Sequence, residues 1–274
     1  MKHAIGWLVA VPALVIGATV VARVDGGSNA GGDNDRWVFV PLPASAFQSA
    51  PRQQPSDSSR VRALLQAARG TNALVCELAA RTVDGRSGWS SDGGLTAGGA
   101  ADSVIGDVVE SIHERGISAA TVPLLRAAIG DPDWCVRRLA APILGRVHDP
   151  SATQAMLGAL AAPEAGTREM GALALGFASD TQTVAPLVAR LRDESPRVRA
   201  AAAWALGEME SKAAVRPLID VLRDADAGVR ESAARALGQV EDTAGIVPLT
   251  EVLKSDRDPA VRRAAAKALG EIAG

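Results

Sequence analysis

The stretch Val198-Arg-Ala-Ala-Ala-Ala-Trp-Ala-Leu-Gly207 decides the fold, because the chain repeats its pattern four more times. The repeats end in glycine at positions 145, 176, 207, 238 and 270, a spacing of about 31 residues. The other four segments are Val136–Gly145, Thr167–Gly176, Val229–Gly238 and Val261–Gly270. A fixed period of this length indicates an array of stacked structural units.

Each unit is predicted to contain two helices. The second helix is expected to open at an Asp or Ser, followed by proline in Asp131-Pro132, Ser195-Pro196 and Asp258-Pro259. An oxygen at this point satisfies backbone amides at the helix start, and proline there removes no needed hydrogen bond. Since one helical pair cannot bury its apolar face alone, the units must stack into a solenoid.

Units carrying Val-Arg-x-x-Ala-Ala-x-Ala-Leu-Gly resemble HEAT repeats, of the short type also found in bilin lyases and deoxyhypusine hydroxylases. The resemblance covers residues 119–274. It implies an all-α fold, a right-handed α-α superhelix of five clear helical pairs, to which residues 62–83 add a degenerate sixth. Such repeats serve adaptors, scaffolds and a few enzymes, so the fold alone does not name a function.

The sequence before the repeats divides into three predicted regions. Residues 1–22 have an apolar run typical of a signal peptide or, if uncleaved, of a membrane anchor over residues 4–22. Residues 23–59 are predicted to be a disordered linker with an apolar island at 36–43, and 60–118 a degenerate repeat, a Gly-rich loop and a helix.

Both interpretations of the N-terminus predict an exported protein, either periplasmic, secreted or anchored. Cys76 and Cys135 would then meet an oxidising environment. Equivalent positions in directly stacked units lie about 10 Å apart, whereas a disulfide needs Cα atoms within about 7 Å. The insertion at 84–121 can change that spacing, so a disulfide, core thiols and bilin attachment sites all remain open.

The composition argues against several classes of function. The formal charge is −2, from 29 basic and 31 acidic residues, so no net positive charge favours nucleic acid. Beyond the predicted signal only His113 and His148 are histidines, too few for the His-Glu iron centre that a likeness to deoxyhypusine hydroxylases would imply. No catalytic cluster is evident, and we expect no metal, no cofactor and no enzymatic activity.

An Asp precedes the repeat Arg by six residues in four units, and we predict a structural ladder from these residues. Arginine can bind a carboxylate through two parallel hydrogen bonds and so tie neighbouring loops together. Arg168 has Ala162 where the matching Asp would stand, which predicts a looser second unit. The ladder residues are Asp131, Arg137, Asp193, Arg199, Asp224, Arg230, Asp256 and Arg262.

The variable positions of the second helices are predicted to form a partner-binding concave face. Positions i, i+3 and i+7 share one side of a helix, away from the Val, Ala and Leu of the stack. The face is apolar in the first three units and polar in the last two, and an apolar surface patch of this kind usually meets a partner. Its residues are Leu139, Met170, Leu173, Phe177, Trp204, Arg235 and Lys267.

Two occupants of this face are compatible with the sequence. One is a segment of another protein. The other is the chain itself, through residues 36–43 or through the loop that carries Trp89, and it is slightly favoured because an exposed linker has no reason to hold an apolar island at 36–43. The resulting hypothesis is a non-enzymatic interaction scaffold outside the cytoplasm. The alternative is an enzyme or chromophore-handling protein of the bilin-lyase type.

Overall fold

The computed structural model describes residues 19–23, 37–41, 56–71, Cys76 and 117–274. The chain divides into two compact units, Met1–Gln54 and Pro55–Gly274. In the first, strands β1 (Thr19–Arg23) and β2 (Trp37–Pro41) pair antiparallel, with Val21 opposite Phe39. Their valines and aromatic residues suit strands. The predicted end of the export segment therefore lies in β1, and the apolar island 36–43 contains β2.

The second unit is built from helices, and residues 119–274 form the five predicted pairs. This confirms the all-α repeat solenoid that the sequence indicated. The helices are α1 (Asp57–Ala68), α2 (Val122–Ile129), α3 (Trp134–Gly145), α4 (Pro150–Leu160), α5 (Ala165–Ala178), α6 (Val184–Arg190), α7 (Pro196–Glu208), α8 (Val215–Val221), α9 (Ala227–Val240), α10 (Ile246–Ser255) and α11 (Pro259–Ala273).

Aspartates cap several second helices, but not always the ones that the sequence suggested. The Asp226 and Asp258 side chains accept hydrogen bonds from Val229 N and Ala260 N at 3.1 and 2.7 Å, as expected of N-caps. In the first unit, however, Asp133 rather than Asp131 caps the helix. Asp131 instead accepts from the Asp133 amide at 2.9 Å, and its two oxygens also accept from the guanidinium of Arg69.

The repeat Val, Ala and Leu residues form the core between successive units. Small residues allow the second helices to approach closely, and Gly207 shows how closely. A Cβ added there would lie 2.8 Å from Ala236 Cα of the next unit. The recurring Ala-Leu-Gly is therefore a packing requirement of the stack.

Helix α1 and Cys76, which follows it in the chain, are joined to the first repeat, the helix by polar contacts and Cys76 by a disulfide. Cys76 and Cys135 are disulfide-bonded with Cα atoms 5.5 Å apart, which decides between the alternatives left open by the sequence. The Ser118 amide donates to Asp57 at 3.3 Å. The helix begins at Asp57, before the degenerate repeat predicted from residue 60. Residues 72–75 and 77–116, which include the rest of that repeat, the predicted Gly-rich loop and most of the predicted helix before the clear repeats, lie outside the described residues.

Candidate partner-binding face

The second helices carry an aromatic pair on their accessible side. The rings of Phe177 on α5 and Trp204 on α7 meet edge to face, with centroids 5.0 Å apart and planes at 60°. The guanidinium of Arg146, at the end of α3, lies 5.9 Å from the Phe177 centroid, within cation–π range. Both rings are half-buried, so each packs on the solenoid and keeps an exposed part.

Gly176 explains why the indole of Trp204 can lie against the preceding helix. A Cβ at this glycine would come within 2.6 Å of Trp204 Cζ3 and 2.9 Å of Ala205 Cα. Gly145, Gly207 and Gly238 instead lie under the residue that directly follows the repeat glycine of the next unit, which is Phe177, Gln239 and Glu271 respectively. At this position the covering residue changes from aromatic to polar along the stack.

Two residues predicted for this face are in the core instead. Leu139 and Met170 are each only 1% exposed. The equivalent alanines, Ala201 and Ala264, are also buried. Each interior second helix contacts the first helix of its own unit and the second helices on both sides, so its buried arc is wider than the sequence suggested. Leu139 and Met170 are therefore excluded from a partner-binding face.

The remaining predicted residues do reach the surface. Leu173 is half-buried beside the aromatic pair, while the side chains of Arg235 and Lys267 are 64% and 76% exposed. Each basic residue forms an ion pair one helical turn away, Arg235 with Glu231 and Lys267 with Glu271. We call the face formed by Leu173, Phe177, Trp204, Arg235 and Lys267 the second-helix strip.

Glu208 and Gln239 join the aromatic and basic parts of this strip. Gln239 Nε2 donates to Glu208 Oε1 at 2.8 Å, linking α9 to α7. Both residues directly follow the repeat glycine, as do Phe177 and Arg146. Their shared position in the repeat predicts that these residues line up along the stack, but only the structure shows that neighbouring ones, such as Glu208 and Gln239, touch.

The Asp and Arg residues form a ladder whose rungs join one unit to the next. Arg168 Nε and Nη2 donate to the two oxygens of Asp193, both at 2.9 Å. Arg199 binds Asp224 at 2.7 and 2.8 Å, and Arg230 binds Asp256 at 2.8 and 2.9 Å, in the same way. To the Arg of its own unit, the Asp six residues earlier contributes only its backbone carbonyl as an acceptor. Arg199 Nη1, for example, donates to Asp193 O at 2.9 Å.

The expectation of a loose Arg168 is therefore wrong. Its side chain is 7% exposed and that of Asp193 is 3% exposed, which makes this pair less exposed than Arg199–Asp224 and Arg230–Asp256. In a complete rung, the ladder arginine binds a carboxylate of the following unit. The alanine at position 162 therefore removes the carboxylate partner of Arg137, whereas the partner of Arg168 is Asp193 and is present. At the N-terminal end the ladder begins differently, since Asp131 pairs with Arg69 at the end of α1.

The ladder carboxylates are held in their charged form. Burial acts to raise the pKa of Asp193 and Asp224, but the arginine hydrogen bonds and a backbone amide outweigh it and keep both pKa values below 3.8. The Arg230 hydrogen bond likewise lowers the pKa of Asp256. The role of these carboxylates is structural, because both oxygens of each one already accept hydrogen bonds from the arginine of the preceding unit.

Other kinds of site have no support among the described residues. Within these ranges, His, Cys, Asp and Glu side chains nowhere gather in threes as a metal site would require. In the same ranges, no helix has the length and apolar character needed to cross a membrane. Most of the predicted export segment and His113 lie outside the described residues.

The family model for HEAT repeats matches residues 100–176, 157–237 and 215–274, together well over half of the chain. The chain belongs to the HEAT repeat family. This HEAT repeat protein has no match among curated protein sequences.

Several solved structures resemble this HEAT repeat protein at low identity. An engineered protein is 21% identical with a TM-score of 0.46, over 78% of this chain and 96% of its own. A designed armadillo repeat protein in complex with the peptide (KR)4 is 14% identical with a TM-score of 0.45, over 77% and 99%. Human deoxyhypusine hydroxylase in complex with glycerol is 17% identical with a TM-score of 0.36, over 79% and 97%.

Proposed function

We propose that this HEAT repeat protein is a non-enzymatic scaffold, exported from the cytoplasm, that binds an extended segment of a partner protein along the second-helix strip. The Phe177–Trp204 pair carries the proposal, because two touching aromatic rings on an accessible face supply the kind of anchor that dominates binding energy at interfaces. The change from aromatic to charged residues along the strip would fix the direction of the bound segment. An exported location is supported by the apolar run at 4–22 and by the Cys76–Cys135 disulfide.

The partner is expected to offer apolar side chains to Leu173, Phe177 and Trp204, and polar groups to Arg235 and Lys267. Solenoid repeats are suited to this task, since stacking them creates an extended surface that can follow a peptide. The chain's own residues 36–43 are the competing occupant. They would bind through the same anchors, so the experiment must separate the two.

The test is crosslinking in cells from a photoreactive aromatic residue placed at position 204, followed by mass spectrometry of the products. The proposal expects crosslinks to another protein, with capture lost when Phe177→Ala, which removes the ring that packs against position 204, is added to the crosslinker-bearing chain. The double variant Arg235→Ala/Lys267→Ala, which alters exposed side chains only, should weaken capture without affecting folding. Val247→Ala, which truncates an exposed side chain of α10, is the matched control. Crosslinks confined to residues 36–43 would show a self-covered strip and overturn the proposal, as would full partner capture by both strip variants.

A further inference from the structure

A cleft of about 800 Å³ lies between α2 and α4, the first helices of two adjacent units. Its walls are mainly apolar, from residues such as Val122, Ile129, Ala155 and Ala159, and Arg126 is the charged residue in its lining. Ala162 and Thr167 line it at the turn that leads into α5. The cleft is separate from the second-helix strip, whose residues do not line it.

Ala162 occupies the position where the other units carry the ladder carboxylate. Arg137 retains the contacts of a ladder arginine to its own unit, with Nη1 donating to Asp131 O at 2.6 Å and Pro132 O at 2.9 Å. Its Nε is buried and has no hydrogen-bond partner. At Arg168 the same atom donates to Asp193 at 2.9 Å. The Arg137 side chain is therefore held to its own unit as in the other Arg–Asp pairs, but the carboxylate that would accept from its Nε is missing.

The second unit departs from the repeat pattern at two positions, Ala162 and Thr167, and both residues line this cleft. Thr167 stands where the four other units have a valine, and those valines are buried whereas Thr167 is half-buried. The guanidinium of Arg137 lies against Gly166, with Nη2 3.5 Å from the point that a Cβ would occupy. The Thr167 hydroxyl thus lines the apolar cavity, and the Arg137 guanidinium lies next to it, packed against Gly166.

A second cleft further along the solenoid provides an internal comparison. It lies between α8 and α10, has about 650 Å³, and includes both Arg230 and Asp256 in its lining. There the rung is complete, since Asp256 fills both donors of Arg230. Both members of the rung line this second cleft, whereas in the first cleft Ala162 replaces the carboxylate and Arg137 lies beside the lining, against Gly166.

Glu169 is the acidic residue that most directly opposes this argument. Burial raises its pKa, while the positive charges of Arg197, Arg138 and Arg137 act to lower it. Its carboxylate thus reduces the net charge near Arg137. It does not take the missing rung, because the Nε hydrogen of Arg137 finds no acceptor.

We propose that the cleft between α2 and α4 binds a small amphiphilic carboxylate, such as a medium-chain alkanoic acid. The apolar chain lies between the two helices, and the carboxylate occupies the space above Ala162. There it accepts from Nε and Nη2 of Arg137, as Asp193 does from Arg168, and Thr167 can donate a further hydrogen bond. The geometry favours a carboxylate over other anions, because this position is built throughout the ladder for a planar two-oxygen acceptor.

The test is titration calorimetry on the full chain with octanoate and with 1-octanol, which has the same alkyl chain without the charge. We expect octanoate to bind about tenfold more tightly or better, the gain of a charge-assisted pair of hydrogen bonds. Ala162→Asp should abolish octanoate binding, because it supplies the missing carboxylate from within. Ala213→Asp, the same change at an exposed position two units away, should leave binding intact.

The remaining outcomes overturn the proposal. Equal binding of octanoate and octanol would show that Arg137 takes no part. Octanoate binding that survives Ala162→Asp, or no binding of octanoate at all, would remove the site. Binding of an end-blocked peptide with an aspartate, but not of octanoate, would instead make the cleft a protein-docking site.

Discussion

Arg168 binds Asp193 of the following unit through two hydrogen bonds of 2.9 Å each, and both side chains are almost fully buried. The pair crosses from one repeat to the next, so it exists only when the units are stacked. It also carries other contacts: Asp193 accepts from the Ser195 amide at 3.0 Å, and Arg168 donates to Pro163 O at 2.5 Å. One residue pair therefore joins two turns of the chain.

Asp193→Ala is expected to destabilise the solenoid strongly. It removes the buried carboxylate from the Arg168 guanidinium and leaves only the exposed Glu194, 2.9 Å from Nη2, as an acidic partner. Breaking a buried ion pair costs about 3–5 kcal/mol in comparable cases, and Glu194 places this one at the lower end. Urea unfolding followed by circular dichroism measures the change. Glu231→Ala, which breaks the exposed ion pair with Arg235, is the control and should cost less than about 1 kcal/mol. Equal losses in the two variants would contradict a special role for the buried rung.

Ala162→Asp is expected to stabilise the ligand-free protein. The new carboxylate can accept from Nε and Nη2 of Arg137, completing a partly buried rung worth about 1–2 kcal/mol. Ala162→Asn, with nearly the same shape and no charge, should gain clearly less. Denaturant midpoints of the three proteins provide the comparison. A loss of stability in Ala162→Asp would mean that Ala162 is required by packing.

Substitution of glycine by alanine is expected to have opposite effects at two equivalent positions. Gly176→Ala pushes a Cβ against Trp204 and Ala205, and overpacking of this kind costs about 1–3 kcal/mol. At Gly270, the same position of the last described repeat, a Cβ meets nothing within 4 Å. There alanine should stabilise helix α11 by up to about 1 kcal/mol. Thermal unfolding of both variants tests this, and destabilisation at Gly270 would show an unrecognised contact.

Stability is expected to fall on acidification because the ladder carboxylates have lowered pKa values. Asp193, Asp224 and Asp256 have folded pKa values below 3.8, so their stabilisation is fully present above that pH. It is lost as the pH falls through the folded values, since the unfolded chain then binds more protons. Urea unfolding at a series of pH values below about 5 measures the loss. Asp224→Asn should show a shallower dependence over this range; an unchanged slope would assign the acid sensitivity to other groups.

The sequence by itself determined the repeat, its two helices and most of the ladder residues, although it left out Arg69 and Arg168. These follow from local chemistry: helix caps, helix-breaking prolines and a period that recurs at positions such as Gly207 and Gly238. The family resemblance required no knowledge of the packing. The position of Trp204 on the second-helix strip also followed from aligning the units.

Only the tertiary structure decided which side chains of that alignment are accessible and which ladder residues meet. Leu139 and Met170 are buried because second helices of neighbouring units cover them from both sides, an effect that helical spacing within one unit cannot reveal. Arg137 has no carboxylate partner, because a ladder arginine binds the Asp of the next repeat and that position holds Ala162. Both facts arise from contacts between units, and the sequence pattern of one unit carries no information about the direction in which its side chains cross to the next.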